Sequence, residues 1–600
     1  METRNSTHKN LRDLTLLVID CQATGPSPRS AHLLEIGWLK ARIPTFSDSS
    51  EIAKHAQAFL VRLPGNKSVP RRVSEITGIT NEDVRQGRRR DYIWTSLYKT
   101  ASEISGANGM NGCPAVAHFA RYEEPFIRDL YDRFSRGGVF PFQMICTHEI
   151  MRRLMPGLPR KSLRAVAGYF GHSVPKPRRS LSHVVATAHI WSHLIPILEE
   201  RLGIYTYREL VEWLADPPDK SRPSKSLREY PMNPTCLENL PDSPGIYMMY
   251  RSNMDLLYVG KAKSIKRRVA SYFRRKGAHS ESVLEMLSQA RSLTYSLTPT
   301  AVHAALLETD IIKELSPGYN VALQKTSLAP IFFTQDFSDF STSPGNTYLQ
   351  GPFPSNSFGN ALFQLLQTGS QRPFKPSPLE MSNILCIPRE FVPSQKVFKQ
   401  GIQELMNDYH LPAPPAWNLS MIRRLGTILW REHLQERELN RNFKAAEDRH
   451  EPSPEMEKEG PASRGMNPEG VKNALKFIIR NVCHQMRRAR WLSRISESHL
   501  VWDTAEGNGS ENNILAFSGG RIQYTSRLSP SSIGEVLKTP SQSRTHEERL
   551  QQFDNIIYDR MRVLSTEIKR ILSEKRQVSL WFDSRPELTK EQLQRMLPWV

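Results

Sequence analysis

The stretch PGIYMMYRSNMDLLYVGKAKSIKRRVASYFRRK (Pro244 to Lys276), continued by ALLETDIIKELSPGYN (Ala305 to Asn320), decides how this chain is read. Two short apolar runs, GIYMMY and DLLYVG, flank the polar Arg251-Ser252-Asn253, a pattern that predicts a β-hairpin. Gly260 ends the second strand, and a helix rich in Lys and Arg is expected after it. Further on, Leu306, Leu307, Ile311, Ile312 and Leu315 recur at the spacing of an amphipathic helix, with one carboxylate, Glu308, among them.

These residue types suit hydrolysis of a phosphodiester. Lys261, Lys263, Lys266, Arg267, Arg268, Arg274, Arg275 and Lys276 offer cations to a polyanion. In-line attack by water needs a base, a cation to hold the developing charge and a metal to relieve the leaving oxygen. A Tyr beside a Lys gives up its proton more readily than a free phenol, because nearby positive charge favours the anion. One carboxylate suffices for Mg²⁺, which keeps most of its waters. Read singly, Tyr247 and Tyr258 are ordinary strand aromatics, the cationic helix is a solvated face and Glu308 is the rim of an apolar stripe. Their order and spacing carry the functional reading.

In that order the segment resembles the GIY-YIG endonuclease module, and within that family the N-terminal half of bacterial excinuclease UvrC and its shorter relative Cho. Gly245-Ile246-Tyr247 stands where the family has GIY, and Tyr258-Val259-Gly260 where it has YIG. The resemblance implies catalytic roles for Tyr247, Tyr258, Lys261, Arg268, Tyr272 and Asn320, and Mg²⁺ or Mn²⁺ held by Glu308. It implies DNA contacts from Lys263, Lys266, Arg267, Arg274, Arg275 and Lys276. In the family's scheme Tyr258 or Tyr247 is the general base, Lys261 lowers the phenol's pKa, and Arg268 steadies the transition-state charge. Tyr272 and Asn320 position substrate and fold.

The whole composition agrees with a nucleic-acid partner. The 600 residues exceed one core and predict three or four domains. A net charge of +20 points to a polyanion. No run of about eighteen apolar residues is present, and METRNSTHKN lacks the apolar core of a signal peptide, so a cytoplasmic protein is expected. Cys21, Cys113, Cys146, Cys236, Cys386 and Cys483 are scattered with no CxxC pair, which argues against a disulfide framework and a structural zinc site.

Toward the N-terminus, LTLLVID (Leu14 to Asp20) predicts a buried strand ending in a carboxylate, and HLLEIGWLKAR a second strand. AVAHFARYEEPFIRDL (Ala115 to Leu130) and SLSHVVATAHIWSHLI (Ser180 to Ile195) have a helical period. This order, with ITGIT at Ile76 to Thr80, resembles the DEDDh exonuclease fold of proofreading subunits such as DNA polymerase III epsilon, a mixed sheet of RNase H type. The resemblance places the family's catalytic set on Asp20, Gln22, Glu123, Arg178 and His183. Gln22 is neutral where the family has Glu, and Arg178 stands where it has the general-base His. Arginine stays protonated and cannot act as a base. A two-metal site needs several anionic oxygens, so the domain is expected to be inactive as an exonuclease. It would then survive as a DNA-binding or docking module; a residual 3′–5′ exonuclease using one metal at Asp20, Glu123 and His183 is the alternative. RQGRRR (Arg85 to Arg90) adds cations or is a solvated loop.

DPPDKSRPSKSLREYPMNP (Asp216 to Pro234) and the charged stretch from Asn440 to Pro468 read as linkers. TYLQGPFPSNSFGNALFQLL (Thr347 to Leu366) resembles the element that follows GIY-YIG in UvrC-type chains; only Cys386 lies near the family's cysteine cluster, so no iron–sulfur cluster is expected. LKFIIRNVCHQMRRARWLSRI (Leu475 to Ile495) predicts a strongly basic helix, followed by HLVWDTA, a hairpin turning at Gly519-Gly520, a long amphipathic helix and VSLWF. Met486-Arg487-Arg488-Ala489-Arg490-Trp491 either meets phosphate and stacks a base, or buries Trp491 beneath solvated arginines.

The expected architecture is multidomain α/β and α+β. It runs from an RNase H-like exonuclease fold (1–210) through a linker (211–236) to a GIY-YIG nuclease fold, a small antiparallel sheet with helices (237–330). A UvrC/Cho-like middle region (331–440), a flexible linker (441–468) and a C-terminal α+β domain (469–600) follow. The expected function is Mg²⁺-dependent incision of one DNA strand near damage in nucleotide excision repair, with UvrA/UvrB-type partners. The alternatives are a structure-specific or mobile-element endonuclease, and a DNA-binding scaffold with both nuclease folds inert.

Overall fold

The computed structural model describes residues 9–42, 49–65, 67–135, 137–175, 178–217, 228–274, 279–320, 330–354, 359–369, 375–412, 418–447, 466–504, 511–536, 544–574, 576–582 and 585–599. Arg275 and Lys276 lie outside them. The chain forms two compact units, one of Met1–Ser243, Tyr247–Ser296 and Pro317–Tyr319, the other of Pro244–Ile246, Leu297–Ser316 and Asn320–Val600.

In the first unit, strands β1 (Thr15–Ala23), β2 (Leu33–Arg42), β3 (Gln57–Leu60), β4 (Cys113–Ala117) and β5 (Phe142–Cys146) form a sheet in the order β3-β2-β1-β4-β5. It is mixed, as expected: β1–β2 and β2–β3 are antiparallel, β1–β4 and β4–β5 parallel. Successive side chains of a strand point to opposite faces, so the continuous apolar run of β1 serves two cores. Leu16 and Val18 pack with Val184, Trp191 and Leu198 on one side, while Leu17 and Ile19 pack with Trp38, Leu97 and Phe126 on the other.

Helices α1 (Ala120–Phe134), α2 (Leu163–Tyr169) and α3 (Ser180–Leu202) supply these faces. The helical reading of Ala115–Leu130 is corrected at its start. Ala115–Ala117 are the buried strand between β1 and β5, and Phe119 at φ 80° turns the chain into α1. By length and composition α3 could cross a membrane, but Val184, Ala188, Trp191 and Ile195 are built into the core. The Arg85–Arg90 run spends part of its charge locally, Arg85 on Glu82 and Arg89 on Asp91.

The same unit holds most of the hairpin module: β6 (Gly245–Tyr250), β7 (Leu256–Ala262) and β8 (Ser292–Leu297) in the order β7-β6-β8, with helices α4 (Ile265–Tyr272) and α5 (Glu281–Leu287). Part of the stretch read as a linker packs here, because Tyr230 and Met232 are apolar enough to join the module's core. Residues around α2 brace those around α5. Ser162 Oγ donates to Glu285 at 2.7 Å, the Arg160 amide donates to Ser288 Oγ at 2.8 Å, and Arg291 lies 4.0 Å over the Tyr169 ring. Gln289, fully buried, accepts from Arg251 Nε at 3.0 Å and donates to the Glu285 carbonyl at 2.9 Å.

In the second unit, helix α6 (Ala301–Leu315) packs Val302 and Leu306 with Phe332, Trp491, Tyr558 and Met561. Residues of the module read as one domain at 237–330 thus fall in both units, with the apolar face of α6 in the core of the second. Strands β9 (Ile331–Phe333), β10 (Phe340–Ser341) and β11 (Gln350–Phe353) form a small sheet ordered β10-β9-β11. Helix α7 (Leu419–Glu447) runs into the stretch expected as a linker, and α8 (Pro468–Ile495) packs on it.

An antiparallel sheet β14-β13-β12-β15-β16 follows: β12 (His499–Asp503), β13 (Asn512–Ser518), β14 (Arg521–Leu528), β15 (Val578–Phe582) and β16 (Arg585–Leu588). Helix α9 (Asn555–Ser573) covers it, and α10 (Lys590–Met596) comes last. Gly519 and Gly520 both take positive φ at the β13–β14 turn, the conformation a two-residue hairpin demands. Trp491 is 2% exposed and donates its indole N–H to Ser565 Oγ at 2.9 Å, so it is core and does not stack a base.

A Cβ at Gly168, on α2, would meet the Gln289 amide oxygen at 1.8 Å. Gly168→Ala is expected to destabilise the fold by about 1–3 kcal/mol, as overpacking does. Gly106, in the Arg90–Asn108 helix, has nothing within 4 Å of that position. Gly106→Ala is expected to stabilise by about 0.5–1 kcal/mol through helix propensity. Denaturant unfolding of the two variants against the parent chain checks both signs.

Candidate active site

The module's chemistry gathers where β6, β7 and α4 meet. Ser264 caps α4 by accepting the Arg267 amide at 3.1 Å, and Ile265 and Val269 pin the helix to the core. Arg268 and Tyr272, one turn apart, therefore point the same way. Tyr247 Oη and Tyr272 Oη are hydrogen-bonded at 2.9 Å, and Arg268 Nη2 donates to Tyr272 Oη at 3.2 Å. The rings of Tyr247, Tyr258 and Tyr272 lie 6.1–6.5 Å apart pairwise. A Cβ at Gly260 would lie 2.4 Å from Tyr247 Oη, so the glycine makes room for the phenol.

The two candidate bases differ in access. Tyr247 has no exposure, whereas Tyr258, with Arg268, Ser271, Tyr272 and His279, lines a cavity of about 320 Å³. Burial, and then the neighbouring phenols of Tyr258 and Tyr272, push the Tyr247 pKa well above its ordinary value. For Tyr247 the expectation of a phenol made more acidic by Lys261 is thus corrected: burial outweighs nearby cations. Burial opposes the Arg268 charge, but Tyr247 and Tyr272 outweigh it and hold the guanidinium above its usual pKa. His279 escaped the sequence reading. Its Nε2 is 2.9 Å from the Tyr272 carbonyl and its ring stacks on Tyr272, a contact made across sequence that carries no motif.

Of the expected DNA-contacting residues, Lys263, Lys266, Arg267 and Arg274 are exposed, Arg267 with an ion pair to Asp242 at 3.1 Å. Lys261 is half-buried on β7. Glu308 and Asn320 belong to the second unit: Glu308 half-buried on α6, Asn320 8% exposed beyond it. The structure thus brings together Tyr247, Tyr258, Arg268 and Tyr272, and carries Glu308 and Asn320 on elements of the other unit.

The second candidate site lies at β1, α1 and α3. Asp20 is almost buried, and both its oxygens are taken: Gln22 Nε2 donates to Oδ2 at 2.8 Å, and His183 Nδ1 lies 3.1 Å from Oδ1. Glu123 is 3% exposed with Oε2 unpartnered, and burial, then the Asp20 charge, raises its pKa well above the carboxylate range. Arg178 is exposed, while its neighbour Arg179 pairs with Glu35 at 2.5 Å. His118, pushed down to about 3 by burial, is held by Thr147 and the Lys161 carbonyl. Among the described residues no group of three or more His, Cys, Asp or Glu is arranged to hold a metal. Around the expected single-metal set, Gln22 and His183 contact the Asp20 oxygens, and burial favours the neutral form of Glu123.

Comparison with known proteins agrees with the module. The family described as UvrC-like GIY-YIG domain matches residues 243–321. UvrABC system protein C of Clostridium botulinum (strain Hall) is 33% identical over 139 residues, 22% of this chain and 22% of that protein. Its counterpart in Clostridium perfringens (strain SM101) is 35% identical over 138 residues, with the same 22% shares. The chain thus spans 22% of the length of these curated relatives. Among solved structures, the GIY-YIG N-terminal endonuclease domain of UvrC from Thermotoga maritima, bound to magnesium, is 28% identical. It covers 15% of this chain and 94% of that one, with a TM-score of 0.14. Exonuclease X in complex with 5′ overhanging duplex DNA is 20% identical over 31% of this chain and 92% of its own, with a TM-score of 0.23. Residues 243–321 therefore match the UvrC-like GIY-YIG domain family, as one segment of a longer chain.

Proposed function

We propose that the chain is a cytoplasmic DNA-repair endonuclease that hydrolyses one phosphodiester near damage, working with UvrA/UvrB-type partners. The observation that carries the reading is the cluster of Tyr247, Tyr258, Tyr272 and Arg268 beside the 320 Å³ cavity. Tyr258, on the cavity wall, takes the proton from the attacking water. Arg268 meets the charge that builds on the phosphate, where a preorganised cation counts most. Tyr247 is the structural member: it holds the Tyr272 hydroxyl, which with Arg268 positions the phosphate. Lys261 and the exposed Lys263, Lys266 and Arg274 lead the strand in.

Glu308 would hold Mg²⁺ and Asn320 would orient the loop that follows α6, on their positions in the family pattern. A half-buried single carboxylate fits a hydrated hard cation, which needs one or two carboxylates and keeps its waters. When bound, that ion supplies Lewis-acid stabilisation of the leaving oxygen.

The N-terminal domain is read as a degenerate DEDDh exonuclease fold, inactive and retained as a docking module. Its mixed sheet supports the fold, and the hydrogen bonds on both Asp20 oxygens support the loss of activity. Its polar contacts with the α5 region support the docking role.

Tyr258→Phe is expected to slow nicking about 10²–10⁴-fold, the usual worth of a general base. Arg268→Ala should cost about 10²–10³-fold, like removal of a transition-state donor. Tyr247→Phe should lose less than Tyr258→Phe, and Glu308→Ala should abolish the Mg²⁺-dependent rate. Nicking of damaged duplex with Mg²⁺, alone and with a UvrB-type protein, checks this series. Wild-type speed in Tyr258→Phe sinks the assignment, and cutting of undamaged branched DNA without a partner turns it toward a structure-specific endonuclease.

The buried Glu123 makes a separate prediction. An unfolded glutamate titrates near pH ~4.3, and the folded value is raised. Between the two values the folded chain binds the extra proton, so stability falls as pH rises through that window. Glu123→Gln removes this dependence. It should raise the melting temperature relative to the parent chain above about pH 5, the gain vanishing below about pH 4. A melting temperature raised by Mn²⁺ in the parent and not in Glu123→Gln would instead reveal a working metal site.

A further inference from the structure

The basic helix α8 carries arginines that the burial of Trp491 does not account for. Arg487, Arg490 and Arg494 stand at i, i+3 and i+7 on α8, and share one wall of a cavity of about 450 Å³. Thr427 and Arg431, one turn apart on α7, form the facing wall. Four guanidinium groups therefore line one opening, and among its described lining residues none is acidic. The forks are held: Arg487 Nη2 donates to Thr427 Oγ1 at 2.7 Å, and the Arg494 guanidinium sits 4.5 Å over the Phe582 ring. Arg431 and Arg490 are exposed.

Like charges are crowded here at a cost. Burial, with some help from the Arg431 charge, lowers the Arg487 pKa. Burial and the Arg490 charge do the same to nearby Arg423 on α7. A compensating anion would relieve that repulsion, and guanidinium forks match phosphate oxygens in particular. The layout favours a polymer over a single ion. From Arg487 to Arg494 the helix rises about 10 Å, a length of duplex axis over which each strand presents about three phosphates, one every ~3.4 Å.

We propose that this cleft between α7 and α8 is a nucleic-acid backbone site, a second DNA contact belonging to the C-terminal half. The proposal rests on the reading of the chain as a DNA-cutting enzyme and extends it to how the duplex is held.

The test uses the full chain in EDTA, with a fluorescent duplex and anisotropy over a salt series. Arg431→Ala/Arg490→Ala is expected to weaken binding about tenfold near 0.1 M salt. It should also reduce the slope of log K against log salt by about 1.8, two phosphate contacts at about 0.9 each. Arg71→Ala/Arg208→Ala removes the same charge elsewhere and is expected to leave the slope in place. Equal losses in both pairs, or no loss in the first, overturn the site. Displacement of the duplex by polyglutamate at matched charge concentration, with the first pair abolishing polyglutamate binding, also overturns it, in favour of an acidic protein. Mg²⁺-dependent nicking by the same preparations separates the two readings. If the parent chain fails to nick but the duplex still needs Arg431 and Arg490, the enzyme reading fails and the site stands; if it nicks and the slope is unmoved, the site alone fails.

Discussion

A phenol with no exposure has to be hydrogen-bonded, since leaving a buried polar group unsatisfied costs about 1–3 kcal/mol. Tyr247 meets that requirement through Tyr272, and it can do so only because Gly260 presents no side chain to the same space. One hydroxyl thereby fixes the relation of three elements: β6 carries it, β7 yields to it and α4 answers it. Everything the cavity can do follows from this arrangement. Tyr258 is left on the wall, and Arg268 reaches Tyr272 from one turn earlier on the same helix.

The Asp20 site and the arginine-lined cavity meet the problem of crowded charge in opposite ways. At Asp20 both carboxylate oxygens are contacted from within, by Gln22 and His183, and burial favours the neutral form of its companion Glu123. The arginine cavity is the reverse, four guanidinium groups lining one opening with no acid among its described lining residues. The net charge of +20 is thus unevenly distributed, partly in local pairs such as Arg85 with Glu82 and partly in the arginine-lined cavity.

Much of this was legible in the sequence, for identifiable reasons. The hairpin around Arg251-Ser252-Asn253, the β1 strand and the Gly519-Gly520 turn follow from local periodicity and backbone chemistry. The family resemblance grouped Tyr247, Tyr258, Arg268 and Tyr272, and the structure brings them together. Features that depend on partners distant in sequence were not legible. Ala115–Ala117 has a helical period but pairs with two strands. His279 matters only through its stack on Tyr272, and the Tyr247 pKa is decided by how completely the fold covers it. The continuation of α7 through a polar, charged stretch was likewise invisible to hydrophobic patterning.

Helix α6 shows where a domain boundary drawn from sequence similarity departs from the physical one. The family match ends at residue 321, yet Val302 and Leu306 are buried among Phe332, Trp491 and Met561. Lys313 is paired with Asp559 at 2.5 Å and Arg560 with Asp310 at 3.3 Å. An expression fragment trimmed to the homologous segment would bare that greasy stripe and strand two charges without their counterions. The smallest soluble piece that keeps the acid-bearing helix in its native setting therefore has to retain the chain through α9.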